Sequence, residues 1–210
     1  MMKKIAQSYL AHNTADAIYR RFSLVMTFLA SGRAGEAGSA TWNLASWDDI
    51  LQNLYFDRSQ SKSGKQKGIS FVSDYEGYDM DFFHSLGCYF ICSFGQKDHL
   101  KNDYENHWIL PEIISVLEKS GTSKKISLFL QDLTATGGSS EYSRSVIPTL
   151  PCDVSGNSLR VGSINEAASR NVPPYAVIMH GGHDMTGTSA SWEYVITTPM
   201  SAMPGIIIAR

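Results

Sequence analysis

The stretch from Tyr175 to Thr198, YAVIMHGGHDMTGTSASWEYVITT, constrains the fold more than any other part of the chain. It begins with an apolar run, 175–180, and a run of this length between a proline and a glycine is typical of a strand buried on both faces. It ends with residues 191–198, whose alternation of apolar and polar side chains is typical of a half-exposed strand. We therefore predict two strands joined by a glycine-rich loop. The loop presents His180, His183 and Asp184.

The composition favours one domain that meets other protein surfaces. Of the 210 residues, 43% are hydrophobic, which is enough to build a single core. Charged residues make up 18% of the chain, below the roughly 25% of an average soluble protein. A surface poor in charge and rich in small polar groups is typical of protein–protein contact.

Charge and hydropathy argue against two other classes. The net charge of −2 gives no global basic field that would hold nucleic acid. No apolar run reaches the roughly 18 residues of a membrane helix, and the apolar segment near the amino terminus is too short and interrupted for a signal peptide. We expect a soluble intracellular protein, or a component of a virion or shell, without membrane contact.

Hydrophobic spacing predicts a largely apolar helix over 14–31, capped by Asn13 or Thr14, and a shorter helix that begins at Ser46. The pattern of 82–94 favours a strand and also permits a helix. The other predicted elements are strands at 69–73 and 125–133, a helix over 110–119, and a helix that begins at the capping pair Ser163 and Glu166.

These elements predict an α+β fold. We expect a single domain over 1–210, with a mixed or antiparallel sheet and three to four helices. The helices lie mostly in the N-terminal half, so that 1–56 is a helical part and 69–210 is a sheet-rich part.

The HGGHD segment carries the strongest local signal for chemistry. An apolar strand followed by His-Gly-Gly resembles the oxyanion loop of esterases of the α/β-hydrolase type. That fold also needs a G-x-S-x-G elbow downstream, and none follows, so we set this family aside. Read as metal ligands, His180, His183 and Asp184 could supply two nitrogens and an oxygen to a divalent metal such as zinc.

Cysteine chemistry is the other enzymatic possibility. Cys88 and Cys92 lie in an apolar run and are interpreted as buried thiols. Cys152 lies among turn formers, so it is the cysteine we expect to be most exposed. Paired with His180 or His183, and oriented by Asp153 or Asp184, it would be a nucleophile.

Two binding functions have weaker signals. Four cations between residues 58 and 67 could touch phosphate weakly, although a solvated connection explains them as well. They are Arg58, Lys62, Lys65 and Lys67. A glycan-binding module would stack sugars on Tyr175, Trp192 and Tyr194, although core packing explains these aromatics more cheaply.

Our leading interpretation is a structural or interaction protein that self-associates, possibly as a coat or capsid-like shell subunit. It would bind copies of itself or other protein subunits and needs no cofactor. The alternative is a hydrolase with its site in the 180–184 loop, using either the metal set or Cys152. The sequence leaves open whether the chain is an enzyme.

Overall fold

The computed structural model describes residues 1–31, 34–38, 40–57, 68–74, 77–93, 109–110, 119–135, 142 and 145–180. Several predicted features lie outside these ranges. They are the loop cations at 58–67, most of the 110–119 helix, the 191–198 strand, His183, Asp184, Trp192 and Tyr194.

Within the described ranges the chain forms seven α-helices and one antiparallel sheet, which confirms the predicted α+β class. The helices are α1 Met2–His12, α2 Ala15–Leu29, α3 Ala34–Gly38, α4 Phe82–Ser93, α5 Lys119–Gln131, α6 Gly156–Ser169 and α7 Pro174–His180. The strands are β1 Ala45–Asp48, β2 Asn53–Asp57 and β3 Gly68–Phe71, in the order β1-β2-β3. None of the described helices is long and apolar enough to cross a membrane.

Helix α2 lies at the centre of the fold and confirms the predicted amphipathic helix. Thr14 caps it, because the Thr14 hydroxyl accepts a hydrogen bond from the amide of Ala17 at 3.2 Å. Residues 17–27 of α2 are buried except for Arg20, which is half-buried. Since α2 contacts α1, α3, α4, α5 and α6, its whole circumference is covered.

An aromatic cluster joins α2 to the sheet and to α4. Phe82 at the start of α4 stacks on Phe71 of β3, with ring centroids 4.1 Å apart. Phe22 of α2 stacks on Tyr89 of α4 at 5.2 Å. Phe56 of β2 meets both Phe71 and Phe82 edge-on. These rings belong to one hydrophobic core that extends from α1 to α6.

The predicted helix at Ser46 is wrong, because this segment is the β1–β2 hairpin. The Asp48 carboxylate accepts hydrogen bonds from the amides of Ile50 and Leu51, both at 2.9 Å, and so closes a tight turn. Gln52 then adopts a left-handed φ of 51°. The apolar spacing of this segment places residues on two paired strands rather than on one helical face.

Three predicted strands are helices. Segment 82–94 forms α4, whose first turn is capped by the Asp81 carboxylate at the amide of His84. Segment 125–133 lies mostly in α5, whose Ile126 and Leu130 are fully buried and one turn apart. The 175–180 run forms α7, with Pro174 in the first helical position. Strand 69–73 is confirmed as β3.

The helices are also distributed differently from the prediction. There are seven among the described residues rather than three to four, and four of these helices lie in the described part of 69–210, where β3 is the one strand. Helix α6 begins at Gly156 rather than at Ser163, because Ser155 and Ser158 form its capping box. Ser163 is therefore an interior residue of α6 and is buried.

Candidate functional site

The predicted site residues that the structure describes lie on different elements. Cys152 lies in the turn before α6 and is exposed, whereas Cys88 and Cys92 are half-buried, so Cys152 is the most exposed cysteine as predicted. His180 is the last residue of α7. Among the described residues no hydrogen bond joins Cys152 to His180. Tyr175, predicted as a stacking surface, is exposed on α7.

His180 anchors the start of the HGGHD segment against the end of α2. Its Nε2 lies 2.7 Å from the carbonyl oxygen of Leu29. A carbonyl can only accept, so Nε2 carries the proton and donates it. The contact joins residues 151 positions apart in the chain. The first residue of the predicted functional loop is thus fixed by tertiary structure.

Helix α6 meets the same end of α2. The hydroxyls of Ser31 and Ser163 form a buried hydrogen bond at 2.5 Å. Arg160 lies one turn before Ser163, on the same face of α6, and only 5% of its surface is exposed. We call this meeting point the α2–α6–α7 junction, defined by Leu29, Ser31, Arg160, Ser163 and His180.

The junction brings α6, which carries Arg160, and α7, which ends at His180, to the same end of α2. A guanidinium offers N–H groups in a planar fork that matches phosphate and carboxylate groups. Ser31 contributes a hydroxyl and a left-handed φ of 45°, which turns the chain sharply at the end of α2. The arrangement suits recognition of an anion.

A second group of reactive side chains lies between α2 and α4. We call it the thiol cluster, defined by Arg21, His84 and Cys88. The Arg21 side chain is fully buried, and its Nη2 donates to the carbonyls of Tyr78 at 2.7 Å and Asp79 at 3.1 Å. The same Nη2 lies 3.0 Å from Nδ1 of His84.

These contacts fix the tautomer of His84. Arginine is only a donor, so Nδ1 of His84 must accept, and the ring proton lies on Nε2. Nε2 and Nδ1 of His84 lie 3.8 and 4.0 Å from the sulfur of Cys88, one turn further along α4. The His84 ring therefore lies against the thiol, with its N–H at Nε2 and the Arg21 guanidinium at Nδ1.

The neighbouring carboxylates are engaged by other groups. Asp79 accepts from Gln7 at 3.1 Å and pairs with Lys3 at 3.3 Å. Asp81 accepts from the Ser73 hydroxyl at 3.0 Å and from the Asp74 amide at 2.6 Å. Among the described residues no carboxylate forms a salt bridge with Arg21. Nε and Nη1 of Arg21 have no hydrogen-bond partner there.

Burial lowers the pKa of His84, and the charge of Arg21 lowers it further, against the opposing effects of Asp81 and Asp79. Burial also lowers the pKa of Arg21, opposed first by the charge of Cys88 and then by Asp79. The neutral imidazole is therefore the form favoured by the folded protein.

A third group, around Arg20, stabilises the fold. Arg20 pairs with Asp16 at 2.6 Å and with Asp132, and its guanidinium lies 4.7 Å from the ring centres of both Phe129 and Tyr142. Burial alone lowers the pKa of Arg20, but the hydrogen bond to Asp132 and nearby charges raise it above its usual value.

A cavity of about 360 Å³ lies beside Arg20. Its lining is Asp16, Tyr19, Arg20, Lys125, Leu128, Phe129 and Asp132. The pKa of Tyr9, whose hydroxyl donates to the Phe129 carbonyl, is raised mainly by burial. Because the charged groups are paired within the protein, we interpret this group as a link between α1, α2 and α5.

No known protein family matches the chain, and no curated protein is similar to it at a significant level.

Sequence reasoning missed the grouping of four side chains of these candidate sites. The spacing of His84 and Cys88 is i, i+4, which brings side chains together on a helix and not on the strand that we predicted. Arg21 lies in a helix that was predicted from its apolar residues, and that pattern assigns no role to a charged side chain. Nothing in the sequence distinguishes Arg160 from a surface arginine.

We expect His84 to titrate below 6.5, its ordinary value. The unfolded chain then takes up a proton at a higher pH than the folded chain, so the stability contributed by neutral His84 is present above pH 6.5 and is lost as the pH falls from 6.5 through the lower pKa of the folded protein. An NMR titration of the ring protons measures the midpoint, and a midpoint at or above 6.5 would contradict the expected lowering of the pKa. His84→Gln should make the unfolding free energy less dependent on pH below 6.5.

Proposed function

We propose that the α2–α6–α7 junction is the active centre of an enzyme that cleaves or transfers phosphoesters, and that its substrate is a nucleic acid. The hydrogen bond from His180 to the Leu29 carbonyl carries this proposal, because it fixes the first residue of the HGGHD segment at the end of α2, which α6 also meets. The proposal keeps the hydrolase interpretation of the sequence and gives it a substrate class.

The histidines have different roles in this proposal. Since Nε2 of His180 is engaged with Leu29, His180 is a positioning residue rather than the acid or base. His183 follows it by three residues, a length of chain that spans at most about 11 Å. An imidazole can donate or accept a proton near neutral pH, so His183 is our candidate for general acid–base catalysis, with Asp184 orienting its ring.

Arginines would hold the phosphate. Arg160 supplies one guanidinium at the junction, and Arg33 follows Ser31 by two residues in the sequence. Two guanidinium groups can neutralise the charge that develops on the non-bridging oxygens during phosphoryl transfer. A divalent metal such as zinc could take His183 and Asp184 as ligands. His180 could join that set only through Nδ1, because its Nε2 donates to Leu29.

The cationic loop explains why the substrate would be a polymer. Strands β2 and β3 pair in antiparallel register up to Asp57 and Gly68, so residues 58–67 connect the two strands of a hairpin. Arg58, Lys62, Lys65 and Lys67 fall in this connection. A local group of cations can follow a phosphate backbone even when the net charge of the protein is slightly negative.

Turnover of DNA by the purified protein tests the catalytic role of His183. We expect nicking or strand transfer on a supercoiled plasmid, and loss of roughly 10²–10⁴-fold in rate for His183→Ala, the usual contribution of a general acid or base. Cys152→Ala is the matched control and should leave the rate unchanged. Turnover by His183→Ala at the wild-type rate, or the absence of turnover with both DNA and RNA, would contradict the proposal.

Binding to a labelled DNA duplex tests the loop separately. Each phosphate contact removed should reduce the slope of log affinity against log salt by about 0.9. The double variant Lys62→Gln, Lys65→Gln should therefore flatten the salt dependence. Lys4→Gln, which removes an exposed lysine of α1, should not. If the loop variant has the same salt dependence of DNA affinity as the wild-type protein, the proposal that this loop contacts the DNA is wrong.

Self-association is a second candidate, and the β1–β2 hairpin favours it. Ile50 and Leu51 at the tip of the turn are 92% and 66% exposed, and Trp47 of β1 is 48% exposed. Strand β1 is also an edge of the described sheet. A preformed apolar projection beside an open strand edge can bind a second copy of the chain, as a shell subunit would require.

The solution mass measured by light scattering tests this second candidate. We expect an assembly that Ile50→Ser with Leu51→Ser converts to monomers, because the tip then offers no apolar surface. Ile91→Ser is the matched control, because it replaces an exposed isoleucine on α4 rather than on the hairpin. A wild-type monomer at all concentrations, or an assembly that the double variant leaves intact, would contradict it.

A further inference from the structure

We infer that Cys88 is the reactive thiol of this protein and that the thiol cluster is a modification site for hydroperoxides. The inference does not depend on the enzyme proposed above, because the cluster lies between α2 and α4 rather than at the α2–α6–α7 junction. It rests on the His84 ring beside the sulfur of Cys88 and on the buried guanidinium of Arg21 behind that ring.

The donors around Cys88 can stabilise negative charge on sulfur. Nε2 of His84, which carries the ring proton, lies 3.8 Å from the sulfur. The Arg21 guanidinium lies behind the His84 ring, with its Nη2 at 3.0 Å from Nδ1. Thiols beside arginine and histidine N–H groups react faster than isolated thiols, since the thiolate is the nucleophile.

Arg21 provides an independent sign that the cluster accepts a polar group. It is fully buried, yet its Nε and Nη1 have no hydrogen-bond partner among the described residues. A buried donor without an acceptor costs free energy, so a new acceptor at this position would be stabilised. An oxygen added to the sulfur of Cys88 would be such an acceptor.

A small oxidant can reach the sulfur from solvent. Cys88 is half-buried and His84 is exposed beside it. The exposed ring of Tyr78 lies 5.3 Å from the ring of His84 and flanks the entrance. A hydroperoxide is small enough to pass between these groups, and its leaving oxygen would then lie near the N–H of His84.

The reaction is a two-electron oxidation. The thiol first loses its proton to solvent, and the thiolate sulfur attacks the terminal oxygen of the hydroperoxide. The sulfur–oxygen bond forms as the oxygen–oxygen bond breaks, giving a sulfenic acid and an alkoxide or hydroxide. The leaving oxygen takes up a proton and departs as alcohol or water, so sulfur is oxidised and the peroxide is reduced by the same two electrons.

The chain contains its own controls. Cys92 lies one turn beyond Cys88 on α4 and is also half-buried, but no histidine or arginine lies within hydrogen-bond distance of it among the described residues. Cys152 is the most exposed of the three. If solvent access alone set the rate of oxidation, Cys152 would react first. If the side chains of the thiol cluster set it, Cys88 would react first.

The test is competition for substoichiometric hydrogen peroxide, with dimedone trapping of sulfenic acid and peptide mass spectrometry. We expect Cys88 to be trapped about tenfold faster than Cys92 and faster than Cys152, because the N–H of His84 lies beside its sulfur with the Arg21 guanidinium behind the ring. His84→Phe should lower the Cys88 rate to that of Cys92 without changing Cys152, and His84→Gln, which keeps an N–H donor, should restore part of it.

Either of two results would overturn the inference. One is preferential trapping of Cys152 in the wild-type protein. The other is a Cys88 rate that does not respond to His84→Phe. Because His84 is exposed, its replacement should leave the fold intact, and an unchanged circular dichroism spectrum together with an unchanged Cys152 rate would establish that.

Discussion

The burial of α2 around its full circumference is the constraint on which the rest of the structure depends. Consecutive residues on a helix point about 100° apart, so neighbouring side chains of a fully covered helix serve different sides of the protein. Arg20 faces α5 and pairs with Asp132, just beyond the end of that helix, and with Asp16 of α2 itself. Arg21 faces α4 and reaches His84. The end of the helix meets α6 and α7.

Burying such a helix requires partners for its polar groups. Ser23 and Thr27 donate to helix carbonyls four residues earlier, at 2.9 and 2.7 Å, and so are satisfied within α2 itself. The two arginines also need groups from outside α2: Arg20 pairs with Asp132, and Arg21 donates to the segment before α4 and contacts His84. These contacts fix the position of α2 along its axis, because a shift by one residue would break them in the core. Both proposed sites are consequences of this arrangement.

The sequence was informative where one local signal acted alone. The apolar period and the Thr14 cap predicted α2, and the β-branched and aromatic run predicted β3. It failed where a short apolar run fits two structures, as in α4 and α5, because periodicity does not distinguish a buried strand from a buried helix. The hairpin at 45–57 depends on the Asp48 side chain and on Gln52, and α7 depends on Pro174 acting as a first helical residue.

The candidate sites could also be predicted only in part from the sequence. Single residues could be chosen from the sequence, such as His180 for its glycine-rich context and Cys152 for its exposure. Their partners could not, because the contact of His180 with Leu29 and that of Arg21 with His84 join positions far apart in the chain. The spacing of His84 and Cys88 had meaning only once α4 was known to be a helix.

Hydrogen–deuterium exchange of the native protein, followed by peptide mass spectrometry, tests most directly whether α2 is the centre of the fold. We expect the amides of residues 18–27 to exchange most slowly, and only when the whole protein unfolds. The amides of the β1–β2 turn should exchange much faster, because Ile50 and Leu51 are exposed. If α2 exchanges as fast as the hairpin, the helix is not covered on all sides, which would contradict its position at the centre of the fold.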